Sequence, residues 1–339
     1  MDPTTLAALI LVGGIVIGIV LSVPIAVVIG VSSFLATIPI LGSEQAVLIS
    51  AQRMFTGINS FPLLAIPMFV LAGVIMNSGC IAGRLVDAAK VLIGRMPASL
   101  AQTNVAANAM FGAVSGAAVA AAAAVGNVMN NRMVAEKYDR GFAAAVNVAS
   151  APSGMLIPPS NTFIVYSLVS GTSIAALFMS GLIPGLLWAA ACMIVVAIYA
   201  VRQPGRLKTA DRVTFRQAML VLWRAFPSLL MMVVLLIVGT FMDPTPAILI
   251  FVPVFLPIVQ EFGIDPIHFG AMVVMNLSIG TITPPVGNVL FVGARVARLR
   301  IEPVIAKLWP FLFAIIAMLF LVVFVPQLSM WLPQLMGLV

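Results

Sequence analysis

Charged residues are scarce in this sequence, and their scarcity sets the class of protein. Only 8% of the 339 residues are Asp, Glu, Lys or Arg, whereas about 25% are charged in a soluble globular chain. Hydrophobic residues make up 62% of the chain, and its mean hydropathy is +1.19. An ordinary soluble enzyme or binding module is therefore excluded, and the composition predicts an all-α polytopic membrane protein embedded in the lipid bilayer.

Histidine and cysteine are nearly absent, which argues against metal-cluster and disulfide chemistry. The two cysteines, Cys80 and Cys192, both lie in apolar surroundings, so we expect neither a disulfide nor a metal site from them. The only histidine, His268, follows the turn signal Asp265-Pro266, which favours a structural role at the membrane edge over a proton relay. We expect no cofactor.

The net charge of +7 does not predict binding to nucleic acid, because no basic stretch is interleaved with aromatic residues. Basic loops that stay on the cytoplasmic side of a membrane explain the excess more simply. The strongest such signal is the stretch 202–224, which contains six Arg and Lys residues and a single acid, Asp211. We expect this loop to face the cytoplasm.

Apolar runs and polar interruptions predict the order of the helices. Residues 5–41 are apolar and interrupted, which predicts either one long bent helix or two short ones. Residues 42–60 form a more polar connection, and residues 80–95 have the pattern of an amphipathic helix at the membrane interface. Further spans are predicted over residues 61–76, 182–201, 226–241 and 309–325.

Two proline pairs interrupt long apolar runs. Pro158-Pro159 ends the span predicted over 141–157, and Pro284-Pro285 follows the one predicted over 267–279. A proline inside a helix removes an N–H donor and clashes with the preceding turn. In lipid such a break is tolerated only where the freed backbone groups meet protein, ions or water. Two broken helices in corresponding halves of the chain therefore indicate a transporter binding site.

Turn signals precede each broken helix. Residues 97–129 hold Ser115-Gly116 within a run of small residues, which fits one tightly packed helix or a re-entrant hairpin; we favour the hairpin. Asp243-Pro244-Thr245-Pro246 precedes a short apolar run that resembles a second hairpin. Ser115 and Pro158 are 43 positions apart, and Asp243 and Pro284 are 41 apart. This near-equality predicts two structural repeats, each with a re-entrant helical hairpin and a Pro-Pro broken helix.

Oxygen-bearing groups cluster at both breaks and are candidate ligands. They comprise Ser115, Ser160, Asn161, Thr162, Thr245, Thr281 and Thr283. Carbonyl groups freed at a broken helix suit sodium, because hard cations prefer oxygen, and the N-terminus of the half-helix after Pro159 suits an anion. The plainer alternative is that the hydroxyls only satisfy neighbouring helix backbones. Asp243 either meets a cation or caps the hairpin helix at the membrane edge.

Several short motifs spread along the chain point to one family. They are Asn59–Pro67 with Asn77-Ser78-Gly79, Phe111–Gly116, Ile157–Asn161, Gly181–Gly185, Phe241–Ala247 and Thr283–Gly287. Together they resemble the large membrane (permease) subunit of TRAP (tripartite ATP-independent periplasmic) transporters. One departure follows Leu230, where the family's further scaffold spans of the second half are missing and the chain runs directly into the span before Asp243.

The resemblance implies a fold and an activity. The family is similar to elevator-type ion transporters, in which a scaffold holds a moving transport domain of two hairpins and two broken helices. It implies sodium-driven uptake of a carboxylate-bearing solute (C4-dicarboxylate, sialic acid or sugar-acid class) across the bacterial inner membrane. It also implies two partners: a periplasmic solute-binding protein and a small four-helix membrane subunit.

The same resemblance implies roles for the candidate residues through their places in the motifs. Sodium-binding candidates are Ser115, Gly116, Pro158, Asp243, Thr245, Gly280, Thr281 and Thr283. Substrate-binding candidates are Asn147, Pro159, Ser160, Asn161, Thr162, Pro284 and Pro285. No catalytic residue and no metal other than Na⁺ is expected.

On this interpretation the chain divides into five segments. They are N-terminal scaffold helices with the interfacial helix (1–96), a first transport repeat (97–181), a scaffold span, the basic loop and a second span (182–240), a second transport repeat (241–300) and a C-terminal span (301–339). The missing scaffold leaves the topology of the second half open.

Three other functions stay open at this point. A stand-alone sodium or proton symporter for organic anions would need no binding protein. An intramembrane serine protease would need Ser115 or Ser153 within hydrogen-bond reach of His268. A purely structural membrane subunit would not transport at all.

Overall fold

The computed structural model describes residues 2–21, 23–58, 81–93, 96–202, 245–261, 263–284 and 287–339. All regular elements in these ranges are helices, as the composition predicts. Asp243, Pro285, the spans predicted over 61–76 and 226–241 and most of the basic loop lie outside the described residues. The chain forms two compact units, Met1–Leu64 and Ala65–Val339, and each is described by itself.

The N-terminal unit contains the helices α1 (Pro3–Val20), α2 (Ile25–Leu41) and α3 (Ser43–Ile58). Residues 5–41 therefore form two short helices and not one bent helix. These two pack closely, since a Cβ at Gly18 would lie 2.4 Å from a methyl carbon of Val28. The stretch predicted as a polar connection is the helix α3, because its Ala, Gln, Leu and Met residues favour helix and Glu44 complements the dipole in the first turn.

The larger unit contains the other helices, numbered in chain order. They are α4 (Ile81–Ile93), α5 (Ser99–Ser115), α6 (Ala118–Ala135), α7 (Arg140–Ser150), α8 (Ser153–Leu156), α9 (Asn161–Ser170), α10 (Ile174–Arg202), α11 (Thr245–Glu261), α12 (Pro266–Gly280), α13 (Asn288–Ala297), α14 (Ile301–Phe324) and α15 (Gln327–Leu335). Helix α4 confirms the predicted amphipathic helix, with Leu85 and Val86 buried and Arg84 exposed. Its place at a membrane interface stays a prediction.

Helices α5 and α6 form a hairpin that reverses direction at Gly116. This glycine has φ +62°, a left-handed conformation that costs glycine little, and its N–H donates to the carbonyl of Gly112 at 2.7 Å. The alternative of one continuous helix over 97–129 is therefore wrong. The re-entrant position of the hairpin in a membrane stays a prediction.

The first proline pair lies in an irregular segment between α8 and α9, and the Pro158-Pro159 peptide bond is cis. The span predicted over 141–157 is also interrupted earlier than expected. Helix α7 ends at Ser150, and Pro152, which has no N–H, separates it from the four-residue helix α8. The carbonyl of Ala149 in the last turn of α7 accepts a hydrogen bond from Nε1 of Trp188 at 2.9 Å.

The second interruption lies between α12 and α13. Helix α12 confirms the helix predicted over 267–279, and Pro284 stands in the turn that follows it. The half-helices that come after the two breaks, α9 and α13, have 10 residues each. The run 247–258, which was predicted to resemble a second hairpin, is instead part of the single helix α11, because Pro253 and Pro257 lie inside this helix without reversing it. Helix α11 packs against α9 and α12.

Two helices in the part of the chain that the structure describes, α10 and α14, are long and apolar enough to cross a membrane. They overlap the spans predicted over 182–201 and 309–325 but begin at Ile174 and Ile301. Both carry large apolar side chains that face outward, among them Ile194, Phe313 and Phe320. Such exposure is expected of a surface that meets lipid. The final helix, α15, was not predicted from the sequence.

The core of the larger unit surrounds the two breaks. Helix α5 packs so closely against α8 that a Cβ at Gly112 would lie 2.5 Å from the Cα of Gly154. Helix α13 packs against α6 and α7. The hydroxyl of Tyr166 in α9 donates to the carbonyl of Pro266 at the start of α12 at 2.6 Å. Elements from both halves of the sequence therefore interlock around the interrupted helices.

Substitution of Gly154 by alanine is expected to destabilise the larger unit. The new methyl carbon would lie 2.1 Å from the Cα of Gly112, a backbone atom that cannot move without shifting α5. We expect a loss of about 1–3 kcal/mol of stability, measured as a lower melting temperature of the purified protein in detergent. Gly83→Ala is the matched control, because nothing lies within 4 Å of a Cβ at that position. Equal melting temperatures for the two variants would contradict the close contact.

Candidate functional site

The tip of the α5–α6 hairpin meets the first turn of α9. Nδ2 of Asn161 donates a hydrogen bond to the main-chain carbonyl of Ser115 at 3.4 Å. The same amide lies against Gly116, where a Cβ would come within 2.4 Å of Nδ2. The structure thus brings together residues that are 46 positions apart in the sequence. With Asn161 in place, a side chain at position 116 would clash with its amide.

The local sequence explains why α9 begins where it does. Pro158 and Pro159 cannot continue a helix, and Ser160 has extended backbone angles. Its hydroxyl accepts the N–H of Phe163 at 3.4 Å, so Ser160 is the N-cap of α9. Both prolines and Ser160 are buried, which places the start of α9 inside the protein.

The proline pair also leaves main-chain oxygens without their usual partners. In a helix the carbonyls of Gly154 and Met155 would accept bonds from residues 158 and 159, but these are prolines and have no N–H. Helix α10 covers the other side of this segment: a Cβ at Gly181 would lie 2.5 Å from the carbonyl oxygen of Leu156. Acceptors at the end of α8 and donors at the start of α9 therefore stand next to each other.

Two buried side-chain oxygens in the first turn of α9 lack hydrogen-bond partners among the described residues. They are Oδ1 of Asn161 and Oγ1 of Thr162, in residues that are 2% and 0% exposed. A buried polar atom that stays unpaired costs about 1–3 kcal/mol. A bound ion or an ordered water is one way in which such an atom is satisfied in a native protein. Four other buried side-chain oxygens among the described residues also lack partners, those of Gln102, Asn108, Asn130 and Tyr138.

The electrostatics of this site come from dipoles, because Ser115, Gly116, Asn161 and Thr162 carry no charge. The N–H groups and the positive end of the helix dipole of α9 favour an anion. The free carbonyl, amide and hydroxyl oxygens favour a hard cation. The arrangement can hold a cation and an anion side by side.

In the residues that the structure describes, the second break differs from the first because its threonine hydroxyls and two of its carbonyls take part in hydrogen bonds within the protein. The carbonyl of Thr281 accepts the N–H of Val289 at 3.0 Å, and that of Gly280 accepts the N–H of Thr283 at 3.3 Å. The hydroxyls of Thr281 and Thr283 donate to main-chain carbonyls of α12 at 2.7 and 2.8 Å. Pro284 is half-buried and Gly280 is exposed. The sodium roles predicted for these residues stay predictions.

The remaining candidates have different positions. Thr245 is the first residue of α11. Asn147 lies in α7, where its Nδ2 donates to the carbonyl of Ala122 at 2.8 Å and its Oδ1 accepts from Nδ2 of Asn108 at 3.0 Å. Both ends of the Asn147 amide therefore link α7 to the hairpin helices. Its predicted contact with substrate stays a prediction.

Asn147 belongs to a buried polar cluster that sequence reasoning missed. Asn104, Asn108 and Ser150 complete it, and Nδ2 of Asn108 lies 2.8 Å from Oγ of Ser150 and 3.0 Å from Oδ1 of Asn104. The signal was present, since Asn104 and Asn108 are four positions apart and therefore share one face of a helix. The cluster holds α5 to α7 next to the site.

His268 contacts Ser329 and neither of the two serines considered for a protease. Its Nδ1 lies 2.6 Å from Oγ of Ser329 in α15, and the residue is buried. The hydroxyl of Ser153 donates to the carbonyl of Ser150 at 2.7 Å. The pairing of His268 with Ser115 or Ser153 that a serine protease would need is not formed.

The fold and the site define an all-helical membrane protein built around two interrupted helices. The sequence model of the family described as "Tripartite ATP-independent periplasmic transporter, DctM component" matches residues 12–231 and 227–328. These segments cover most of the chain, so the chain belongs to this family of transporter permease components. The resemblance found in the motifs is confirmed.

Three relatives show how the similarity is distributed. YgiK of Salmonella typhimurium is 39% identical over 96% of this chain and 97% of its own length. The isethionate TRAP transporter permease DctMQ of Oleidesulfovibrio alaskensis is 32% identical over 92% of this chain and 64% of its own length. The 2,3-diketo-L-gulonate TRAP transporter large permease YiaN of Escherichia coli is 32% identical over 83% of this chain and 88% of its own.

The comparisons also bear on the missing internal stretch. The alignment with YgiK has 424 positions and this chain has 339 residues, so at least 85 aligned positions have no residue here. The two segments that match the family meet at residues 227–231. This is the place at which the motifs indicated that part of the second-half scaffold is missing.

A disulfide across the site tests its geometry. A Cβ at Gly116 lies 2.6 Å from Cγ of Asn161, so cysteines at both positions would have Cβ atoms roughly 4 Å apart, within disulfide reach. We expect Gly116→Cys/Asn161→Cys, with Cys80 and Cys192 replaced by alanine, to cross-link on mild oxidation, detected by intact mass. Gly116→Cys/Ser170→Cys is the control, since Ser170 lies about 13 Å further along α9. Cross-linking of the control alone would contradict the contact.

Proposed function

We propose that this chain is the membrane permease subunit of a sodium-coupled, binding-protein-dependent uptake system for a carboxylate-bearing or similar organic anion. Family membership supports the permease role. Two relatives are named for isethionate and 2,3-diketo-L-gulonate, both organic anions, which supports an organic acid as the solute. The observation that carries the proposal is the pair of buried oxygens of Asn161 and Thr162 beside the Ser115-Gly116 turn.

In this proposal sodium binds between the hairpin tip and α9. Its ligands come from the free oxygens of Asn161 and Thr162, from Ser115, and from main-chain carbonyls before Pro158. A site of neutral oxygens suits a monovalent cation, because divalent Ca²⁺ sites are usually built with carboxylates. Asn161 and Thr162 thereby take part in sodium binding, beyond the substrate contact that their motif implied.

Coupling follows from the position of the anion site next to the cation. The solute's acid group binds at the N-terminus of α9, near Ser160, where helix N–H groups and the bound cation both attract it. Each ligand then raises the affinity for the other, because coupling between two sites is reciprocal. Sodium binding and solute binding are thus linked without any charged side chain in the site.

The wider architecture in this proposal is that of an elevator-type transporter. Helices α5–α9 and α11–α13 form two structural repeats of a moving transport domain in the inner membrane. The equal length of the half-helices α9 and α13, each following a Pro-Pro break, supports this assignment. A small four-helix subunit completes the scaffold, of which this chain lacks part of the second half. A periplasmic binding protein delivers the solute.

Reconstitution tests the function directly. In proteoliposomes that contain the small subunit, uptake of an organic acid is expected only with an inward Na⁺ gradient and only with the solute-binding protein outside. Radiolabelled solute in the vesicles is the measurement, with K⁺ replacing Na⁺ as the control. Equal uptake in K⁺ would contradict sodium coupling. Sodium-driven uptake without the binding protein would instead indicate a stand-alone symporter.

Thr162→Val removes a proposed sodium ligand with little change in shape. A hydrogen bond or ligand to a charged group contributes about 1.5–3 kcal/mol, so we expect the Na⁺ concentration for half-maximal uptake to rise roughly 10- to 100-fold. Thr103→Val is the matched control. Thr103 is also fully buried, but its hydroxyl donates to the carbonyl of Ser99 at 2.7 Å. It lies 13 residues before Gly116 in the chain, about 20 Å along α5 from the hairpin tip. A similar change in both variants would mean that Thr162 only packs.

A further inference from the structure

We propose that a cleft between α10 and α14 binds a phospholipid with an anionic headgroup. The cleft has a volume of about 530 Å³ and lies between the last turns of α10, the first turns of α14 and Phe142 of α7. Its walls are apolar, with Ile194, Ile198 and Phe311 among the lining residues, and two cations, Arg202 and Lys307, line it as well. The inference requires only that the protein lies in a membrane, and it does not depend on sodium coupling.

The basic end of the cleft is built around Lys307. Its Nζ lies 5.9 Å from the centroid of the Tyr199 ring, which itself stacks on Phe142 with a centroid distance of 3.8 Å. Lys307 is half-buried, and its ammonium lies at the cleft within cation–π distance of this one ring. Arg202, three residues beyond Tyr199 at the end of α10, adds a second cation at the same end.

Neither cation is neutralised by a carboxylate among the described residues. Among those residues an ion pair joins Arg132 to Asp87, and neither of these two lines the cleft. Two described acids lie close in sequence to lining residues. Asp139 accepts the N–H of Phe142 at 2.8 Å as the cap of α7, and Glu302 lies in the first turn of α14. Within the part of the chain that the structure describes, Lys307 and Arg202 are therefore cations without an ion-pair partner.

The apolar walls continue from this basic end along α10 into the membrane. Ile194 and Ile198 are 56% and 48% exposed, so the cleft opens sideways. Ile194 precedes Arg202 by two helical turns, or about 12 Å, which is enough for a large part of an acyl chain. A small acid would use the cations but gain nothing from these walls, whereas a phospholipid matches both parts.

The side of the membrane also fits an anionic lipid. Arg202 begins the basic stretch 202–224, which the positive-inside rule assigns to the cytoplasm. Basic pockets between helices on that side are typical binding sites for anionic headgroups. A lipid seated here would contact α7, α10 and α14 together and would hold the long helix α10 to the elements beside the site.

Native mass spectrometry of the full chain in detergent tests the proposal. The probes are phosphatidylglycerol and phosphatidylcholine with the same acyl chains, added at equal concentrations. We expect retention of phosphatidylglycerol to exceed that of phosphatidylcholine at least about fivefold and to fall by about fivefold in Lys307→Gln, with recovery in Lys307→Arg. Arg84→Gln, which removes an exposed cation of α4, is the matched control and should retain the lipid.

A second variant tests the acyl-chain part without changing charge. Ala314 lines the cleft, and Ala314→Phe should fill it and abolish the preference for phosphatidylglycerol while the melting temperature without lipid stays the same. Equal retention of the two lipids by the unmodified chain would overturn the proposal. An equal loss of phosphatidylglycerol in Arg84→Gln and Lys307→Gln would also overturn it, because binding would then depend on diffuse charge. Full retention of this lipid by Ala314→Phe would overturn it too, because the lipid would then bind to another surface.

Discussion

A proline has no backbone N–H, and in an apolar environment no water replaces the bond that it cannot make. The Pro158-Pro159 pair imposes this constraint in the middle of the larger unit, and the surrounding elements are arranged to meet it. Helix α10 approaches with Gly181 against the carbonyl of Leu156, and Trp188 donates to the carbonyl of Ala149 just before the break. The α5–α6 hairpin reaches the other side with a glycine at its tip.

The two breaks satisfy this constraint in different ways, and the difference has functional meaning. At the second break the carbonyls of Gly280 and Thr281 accept main-chain N–H groups, and the threonine hydroxyls bond to their own helix. At the first break Asn161 and Thr162 keep buried oxygens without partners. The first break therefore has two buried oxygens that stay available to a ligand, and the hairpin tip at Ser115 lies beside them.

The sequence was sufficient where the signal is local. The break at Pro158-Pro159 and the turn at Ser115-Gly116 follow from single-residue chemistry, and both lie where they were predicted. It was insufficient where an apolar run suits several structures: the run 247–258, predicted to resemble a hairpin, is part of the single helix α11. It also missed contacts that need a tertiary partner, such as Trp188 with Ala149 and the asparagine cluster around Asn108.

The most direct test of the sodium site is hydrogen–deuterium exchange of the purified protein in Na⁺ and in K⁺ at equal ionic strength. A cation held between the hairpin tip and α9 should order both, so amides near residues 112–118 and 160–165 should exchange more slowly in Na⁺. Peptides from α14 should be unchanged and serve as an internal reference. Identical exchange at the hairpin tip in the two salts, or an equal slowing throughout the protein, would contradict a sodium site at the first break.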